Sequence, residues 1–289
     1  MRSINIVGAG KVGKVFAKFW HQRQVLYIQQ IINQHMDSAR QAMHFIGAGQ
    51  VCETLDQLTH ANIILISVPD DSINKVATQL VSIGIVKEND IVMHCSGALS
   101  SKVLQPLQEC GARTMSMHPP FSFADVNYAI KHLPGTTCVL EGELSACTEI
   151  QKLLQAIDLP SITIAANDKL IYHGALVMVS NYLVSLLDAG IMLLKQINIT
   201  EQDAQKLMQP LVQGAVTQSF ALTPEQALTG LIDRAEMQTI QQQLAALTTT
   251  NSNIAELYRA LGQYTVTLAQ RKHQWPEEVA DQLRRVFES

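Results

Sequence analysis

The sequence predicts an α/β half built on a doubly wound, mostly parallel sheet, followed by an all-α helical-bundle half. Three observations carry this prediction. Short β-branched runs alternate with helical stretches as far as residue 165, as strands and crossover helices do in a parallel sheet. From residue 166 the strand signal stops and the pattern is helical to the end. The length, 289 residues, suits two domains of ordinary size, 1–165 and 166–289, each able to bury a core.

Strands are expected at 4–7, 28–32, 63–68, 91–94, 114–117, 137–140 and 161–164. The unbroken apolar run from Ile63 to Val68 marks a central strand covered on both faces. Asn167 and Asp168 form a capping pair for the first helix of the second half, and later helices open at Thr200, Thr223 and Asn251 or Ser252. The stretch from Leu170 to Leu194 is apolar nearly all round and is therefore expected to be buried, through the bundle or through a partner subunit. A homodimer through the helical domain is the expected assembly. His173, Asn181 and Asp188 place in that stretch groups that lipid penalises, so no membrane partner is expected.

Composition narrows the function classes. Hydrophobic residues are 47% and charged residues 16%, which fits a packed globular chain and excludes a disordered one. A net charge of -4 offers no basic excess for a phosphate backbone, so nucleic acid is not an expected partner. Five cysteines without a C-x-x-C spacing indicate neither a disulfide framework nor a zinc site; a reducing, cytoplasmic location without a metal is expected. The N-terminus runs straight into glycines and has no apolar leader segment.

Gly8, Ala9, Gly10, Lys11, Val12 and Gly13 form a G-x-G-x-x-G directly after a strand and directly before a helix. That context is the dinucleotide-binding fingerprint of a Rossmann domain: Gly8 for the tight turn, Gly10 for the approach of a diphosphate, Gly13 for close helix packing. At the end of the second strand an acid would bind the ribose of NAD. Here stand Asn33, Gln34 and His35, with Asn33 placed for the ribose and Lys11, His35 and Arg40 as supports for a phosphate. NADP is favoured over NAD because no carboxylate is there to repel its phosphate. Val68 and Pro69, closing a later strand, would line the same cofactor.

Ligands of open α/β sheets lie beyond the carboxyl ends of the strands, and two ends carry chemistry. Ser96 and Gly97 follow His94 and Cys95, offering a hydroxyl and a small residue to a nicotinamide or a substrate carboxylate. His118, before two prolines, is held extended and suits either a catalytic imidazole or a structural one. Lys169, His173 and Asn181, four and eight residues apart, form a polar stripe on an apolar helix; burial would bring Lys169 or His173 into the range for proton transfer.

With the runs HCSGALS (94–100), KLIYHGALVMVSN (169–181) and ALTGLIDR (227–234) added to the glycine motif, the chain resembles an uncharacterised family. In it a Rossmann-like domain precedes a helical domain of unknown function 2520, and its members carry the label of NADP oxidoreductases. More distantly it is similar to the 6-phosphogluconate dehydrogenase superfamily, including β-hydroxyacid dehydrogenases and pyrroline-5-carboxylate reductase. The resemblance implies a lysine with an asparagine four residues on; Lys169 matches the first and His173 stands in place of the second. Leu231 stands where the nearer family has proline. The function implied is an NADP- or NAD-dependent dehydrogenase or reductase of a small carbonyl, imine or hydroxy acid held between the domains. Lys169, His173 and His118 would carry the chemistry and Ser96, Gly97, Asn181 and Arg234 would bind substrate. The alternative is a non-catalytic nucleotide sensor whose helical half binds a partner.

Overall fold

The computed structural model describes residues 1–288 and divides into two compact units, Met1–Val179 and a second beginning at Ser180. The first unit carries a sheet of eight strands: β1 (Ser3–Val7), β2 (Tyr27–Ile32), β3 (Gln50–Val51), β4 (Ile63–Ile66), β5 (Ile91–His94), β6 (Arg113–His118), β7 (Cys138–Gly142) and β8 (Ser161–Thr163). Their spatial order is β3-β2-β1-β4-β5-β6-β7-β8. Every neighbouring pair is parallel except β6 and β7. The two-residue β3 is the strand that the sequence pattern does not reveal, being too short to show alternation.

Alternation along the strands explains the double winding. Ile4 and Ile6, Ile63 and Leu65, Ile91 and Met93 face one core, shared with Phe16 and Trp20 of α1 (Lys11–Gln22) and Ile150 and Leu154 of α6 (Leu144–Gln155). Val7, Ile64, Ile66 and Val92 face the other, against Ile73 and Leu80 of α3 (Asp70–Ile83) and Leu107 of α4 (Gln105–Gln108). A sheet covered on both faces is the doubly wound arrangement that the sequence predicts. The unit is completed by α2 (Met36–Ile46), α5 (Val126–His132) and α7 (Lys169–Val179).

The second unit is all-helical: α8 (Asn181–Gln196), α9 (Glu201–Ala221), α10 (Pro224–Ala227), α11 (Met237–Thr250), α12 (Ser252–His273) and α13 (Glu277–Val286). Its core joins Ile240, Val266, Ala280, Leu283, Val286 and Phe287. Three helices start where the sequence places them, because Thr200, Thr223 and Asn251 each accept a backbone N–H with their side chain.

Two features differ from expectation. The stretch expected as one helix is two, α7 and α8, separated at Ser180, a turn residue with φ -113° and ψ -72°. The chain itself leaves the apolar side chains of this stretch uncovered, Ile171 at 78% exposure and Val184 at 67%, so the bundle is not the cover expected for them. By length and composition the residues 166–196 would also suffice to cross a bilayer. Asn167 and Asp168 provide no side-chain cap; they belong to a turn of 3-10 helix that runs into α7.

Candidate functional site

Because β1, β2, β4, β5 and β6 run parallel, their carboxyl ends open on one edge of the sheet. Gly8 follows β1, Asn33 follows β2, Val68 and Pro69 lie between β4 and α3, Ser96 and Gly97 follow β5, and His118 closes β6. The residues singled out in the sequence up to His118 therefore share that edge.

Gly8 turns the chain with φ +89°, and its N–H donates to Ile32 O at 2.8 Å. A Cβ on Gly13 would fall 2.7 Å from Gly8 O, so α1 packs onto the turn only without a side chain there. Gly10 differs from both. Its φ of -69° suits any residue, and a Cβ added to it would meet nothing within 4 Å. It caps α1 without a side-chain hydrogen bond, leaving open space beside the positive end of a helix. No atom of the described residues accounts for this glycine.

Around this turn the polar groups are partly engaged. Asn33 Oδ1 accepts from Ala9 N at 2.5 Å and its Nδ2 donates to Ser38 Oγ at 3.0 Å, so Asn33 ties the glycine turn to α2. Gln34 and His35 are exposed, and Arg40 lies 3.6 Å from Asp37. Lys11 Nζ donates to Ala124 O at 2.7 Å, pinning the loop after β6 against the start of α1. Val68 packs into the core while Pro69 opens α3.

Beyond β5 the chain folds into a tight turn from within. His94 is fully buried; its Nδ1 accepts from Ser96 N at 3.1 Å and its Nε2 lies 3.3 Å from Ser100 O. Ser96 Oγ donates to Asp70 Oδ2 at 2.8 Å and accepts from Ala98 N and Leu99 N. That hydroxyl is fully used in shaping the turn. Lys169 is 1% exposed, and its Nζ donates to Ser96 O at 2.8 Å and to Ser116 Oγ at 2.6 Å. The ammonium thus lies beneath the turn and joins β5, β6 and α7. Glu141, also buried, accepts from Ser101 N and Ser101 Oγ on the far side of the same loop.

Two imidazoles lie over Gly97. A Cβ there would stand 2.5 Å from His173 Cδ2 and 2.8 Å from His118 Nε2, so only glycine allows both rings to close on the turn. The rings meet edge to face with centroids 6.1 Å apart. Burial, and then the Lys169 charge, holds both His94 and His118 down to about 4, so both are neutral at physiological pH. Burial brings Lys169 down to about 8 against the opposing pull of Glu141 and Asp70.

The structure thus brings together Ser96, Gly97, His118, Lys169 and His173. Asn181 and Arg234 fall in the second unit, where Arg234 pairs with Glu236 at 2.5 Å. Asp70, Ser116, Glu141 and Tyr172 belong to the cluster and were missed from sequence. Ser116 had a signal, since it lies two residues before His118 on one face of a strand. Tyr172 had one too, three residues after Lys169 on the same face of a helix.

Residues 1–119 match the family described as a Rossmann-like domain, and residues 136–265 match the domain of unknown function DUF2520. The chain joins a Rossmann-like domain to a DUF2520 domain. The DUF2520 match begins before β7, so this family supplies the last strands of the sheet, α7 with Lys169 and His173, and the helices through most of α12. Protein TM1727 of Thermotoga maritima shares the fold at 24% identity and a TM-score of 0.70, over 99% of this chain and 98% of that one. A provisionally assigned NADP oxidoreductase of Bacteroides fragilis, BF3122, does so at 18% identity and 0.71, over 95% and 98%. A reductive aminase from Aspergillus terreus, in complex with NADPH and ethyl levulinate, aligns at 14% identity and 0.62, over 100% and 93%. No protein with a curated description matches the chain.

Proposed function

We propose that this chain is an oxidoreductase that uses a nicotinamide dinucleotide, NADP in preference to NAD, to interconvert a small carbonyl or imine and its reduced form, hydroxy acids included. The open space at Gly10 carries the reading, because nothing in the protein requires a glycine there. The fold shared with a reductive aminase in complex with NADPH supports it. The amides at the start of α1 would hold the diphosphate, and Gln34, His35 and Arg40 the phosphate end of the ribose. When bound, such a cofactor supplies or takes up a hydride.

The chain's own part is orientation and proton handling. Gly97, without a side chain, lets the His118 and His173 rings close on the turn. His173 is half-buried with no hydrogen-bond partner among the described residues, and is the group placed to exchange the proton at the reacting oxygen or nitrogen. Lys169 acts from one layer below: its charge adds to burial in holding His118 neutral, and its amine holds the Ser96 carbonyl and the Ser116 hydroxyl in place.

Gly10→Val is expected to leave the melting temperature near wild type while lowering dinucleotide affinity on the order of 100-fold, about 3 kcal/mol. Calorimetry with NADPH and NADH measures this, with tighter binding of NADPH expected. Equal affinity in the variant, or no binding by the wild type, would reject the reading. Stereospecific hydride exchange separates an enzyme from a sensor.

We further propose that the partner is a second copy of this chain, joined through the helical domain. The support is the exposure of Tyr182, Val184, Leu186, Leu207, Leu211 and Phe220 on α8 and α9, more apolar surface than a lone soluble subunit ordinarily leaves open. Sedimentation should give twice the chain mass, and Leu211→Asp should yield monomers.

A further inference from the structure

Tyr172 stands between Lys169 and His173 in sequence, and its hydroxyl lies 2.7 Å from His118 Nδ1, linking α7 to the end of β6. The two rings meet edge to face, with centroids 5.6 Å apart. Neither His118 Nε2 nor the phenol oxygen has another hydrogen-bond partner among the described residues. One proton lies between phenol and imidazole, and its direction decides what His118 presents to a ligand.

An inventory of donors and acceptors settles that direction. If the imidazole donated from Nδ1, the phenol proton and the Nε2 lone pair would both go unpaired in a half-buried place. If the phenol donates, only the Nε2–H is left over, on the nitrogen that a Cβ on Gly97 would approach to 2.8 Å. Acidity agrees, since a phenol is the better donor and an imidazole nitrogen the better acceptor. Both groups are neutral: burial holds the Tyr172 hydroxyl up to about 12, and burial together with Lys169 and His173 holds His118 down to about 4.

We propose that Tyr172 is a positioning residue: its hydroxyl donates to His118 Nδ1, locks the ring as the Nε2–H tautomer, and so makes His118 a hydrogen-bond donor to the substrate. Its use in recognition rests on the function proposed above; the tautomer itself does not. A donor over Gly97 suits a ketone oxygen or the lone pair of an unprotonated imine. It disfavours a group such as an iminium N–H, which would point its own proton at the ring.

Nitrogen-15 NMR of histidine side chains in the full chain tests the proposal without substrate. The chain holds nine histidines, and the signals lost in His118→Gln assign the ring. The wild type should show His118 as a single neutral tautomer protonated at Nε2 across neutral pH, with Nδ1 as a hydrogen-bonded acceptor. In Tyr172→Phe the Nδ1 resonance should shift as its donor is lost, while the other histidines stay in place and report an intact fold. A wild-type ring protonated at Nδ1, a mixture of tautomers, or an Nδ1 resonance unmoved by Tyr172→Phe would overturn it. If Tyr172→Phe fails to fold, the wild-type tautomer alone decides. NADPH affinity should be the same in Tyr172→Phe as in wild type. Absence of dinucleotide binding in the wild type would sink the oxidoreductase reading and leave the tautomer result standing.

Discussion

Lys169→Ala is expected to destabilise the first unit by about 2–4 kcal/mol, as read from urea unfolding. The side chain is among the largest fully buried in the chain, and its removal leaves a cavity beneath the turn after β5. It also takes a donor from both Ser96 O and Ser116 Oγ, although the Ser116 hydroxyl still donates to Ser96 O at 3.1 Å. Relief from burying an ammonium offsets part of this loss. Lys169→Met, which refills the space without the charge, should recover much of the stability. In both variants the His118 pKa should rise, because burial of the ring remains but the neighbouring positive charge is gone. A His118 titration unaffected by either change would show that Lys169 does not set the electrostatics of the site.

Acid should weaken the fold in a window set by two histidines. His94 and His118 are held at about 4 when folded and return to an ordinary 6.5 when unfolded. Between those values the unfolded chain binds more protons, so stability rises with pH. The contribution is complete above about 6.5 and is lost as pH falls towards 4. Each ring accounts for about 3 kcal/mol at most, at 1.36 kcal/mol per pH unit. Carboxylates protonate in the lower part of the same window, so the telling measurement is a difference. His118→Gln should flatten the curve of stability against pH between 6.5 and 4 relative to wild type, and parallel curves would refute the assignment. Lys169 acts in another window with the same sign: its folded pKa of about 8 lies below the ordinary 10.5, so stability should climb as pH rises from about 8 to 10.5.

Features that depend on local pattern were legible in the sequence. The glycine turn, the buried β4, and the caps at Thr200, Thr223 and Asn251 all rest on residue type and spacing within a few positions. Contacts between distant segments were not. Nothing near Lys169 says that its amine reaches the carbonyl of Ser96, 73 positions away. Nothing near Asn33 says that its amide oxygen accepts from Ala9 N, 24 positions away. The break between α7 and α8 at Ser180 has no proline or glycine to announce it. Tyr172 was within reach: it shares a helical face with Lys169 and His173, but a tyrosine in an apolar run reads as packing until its hydroxyl has a partner.

The antiparallel pairing of β6 with β7 has a consequence for how this chain can be divided. The two family matches meet between residues 119 and 136, in the connection between those two strands, yet the strands zip together from Met115 opposite Gly142 to His118 opposite Val139. The boundary between the two matches therefore runs inside one sheet, between β6 and β7, and not between folded bodies. A fragment truncated at that boundary would bare the hydrogen-bonding edge of β6, inviting aggregation on expression, whereas one extended through β8 and α7 keeps the sheet whole.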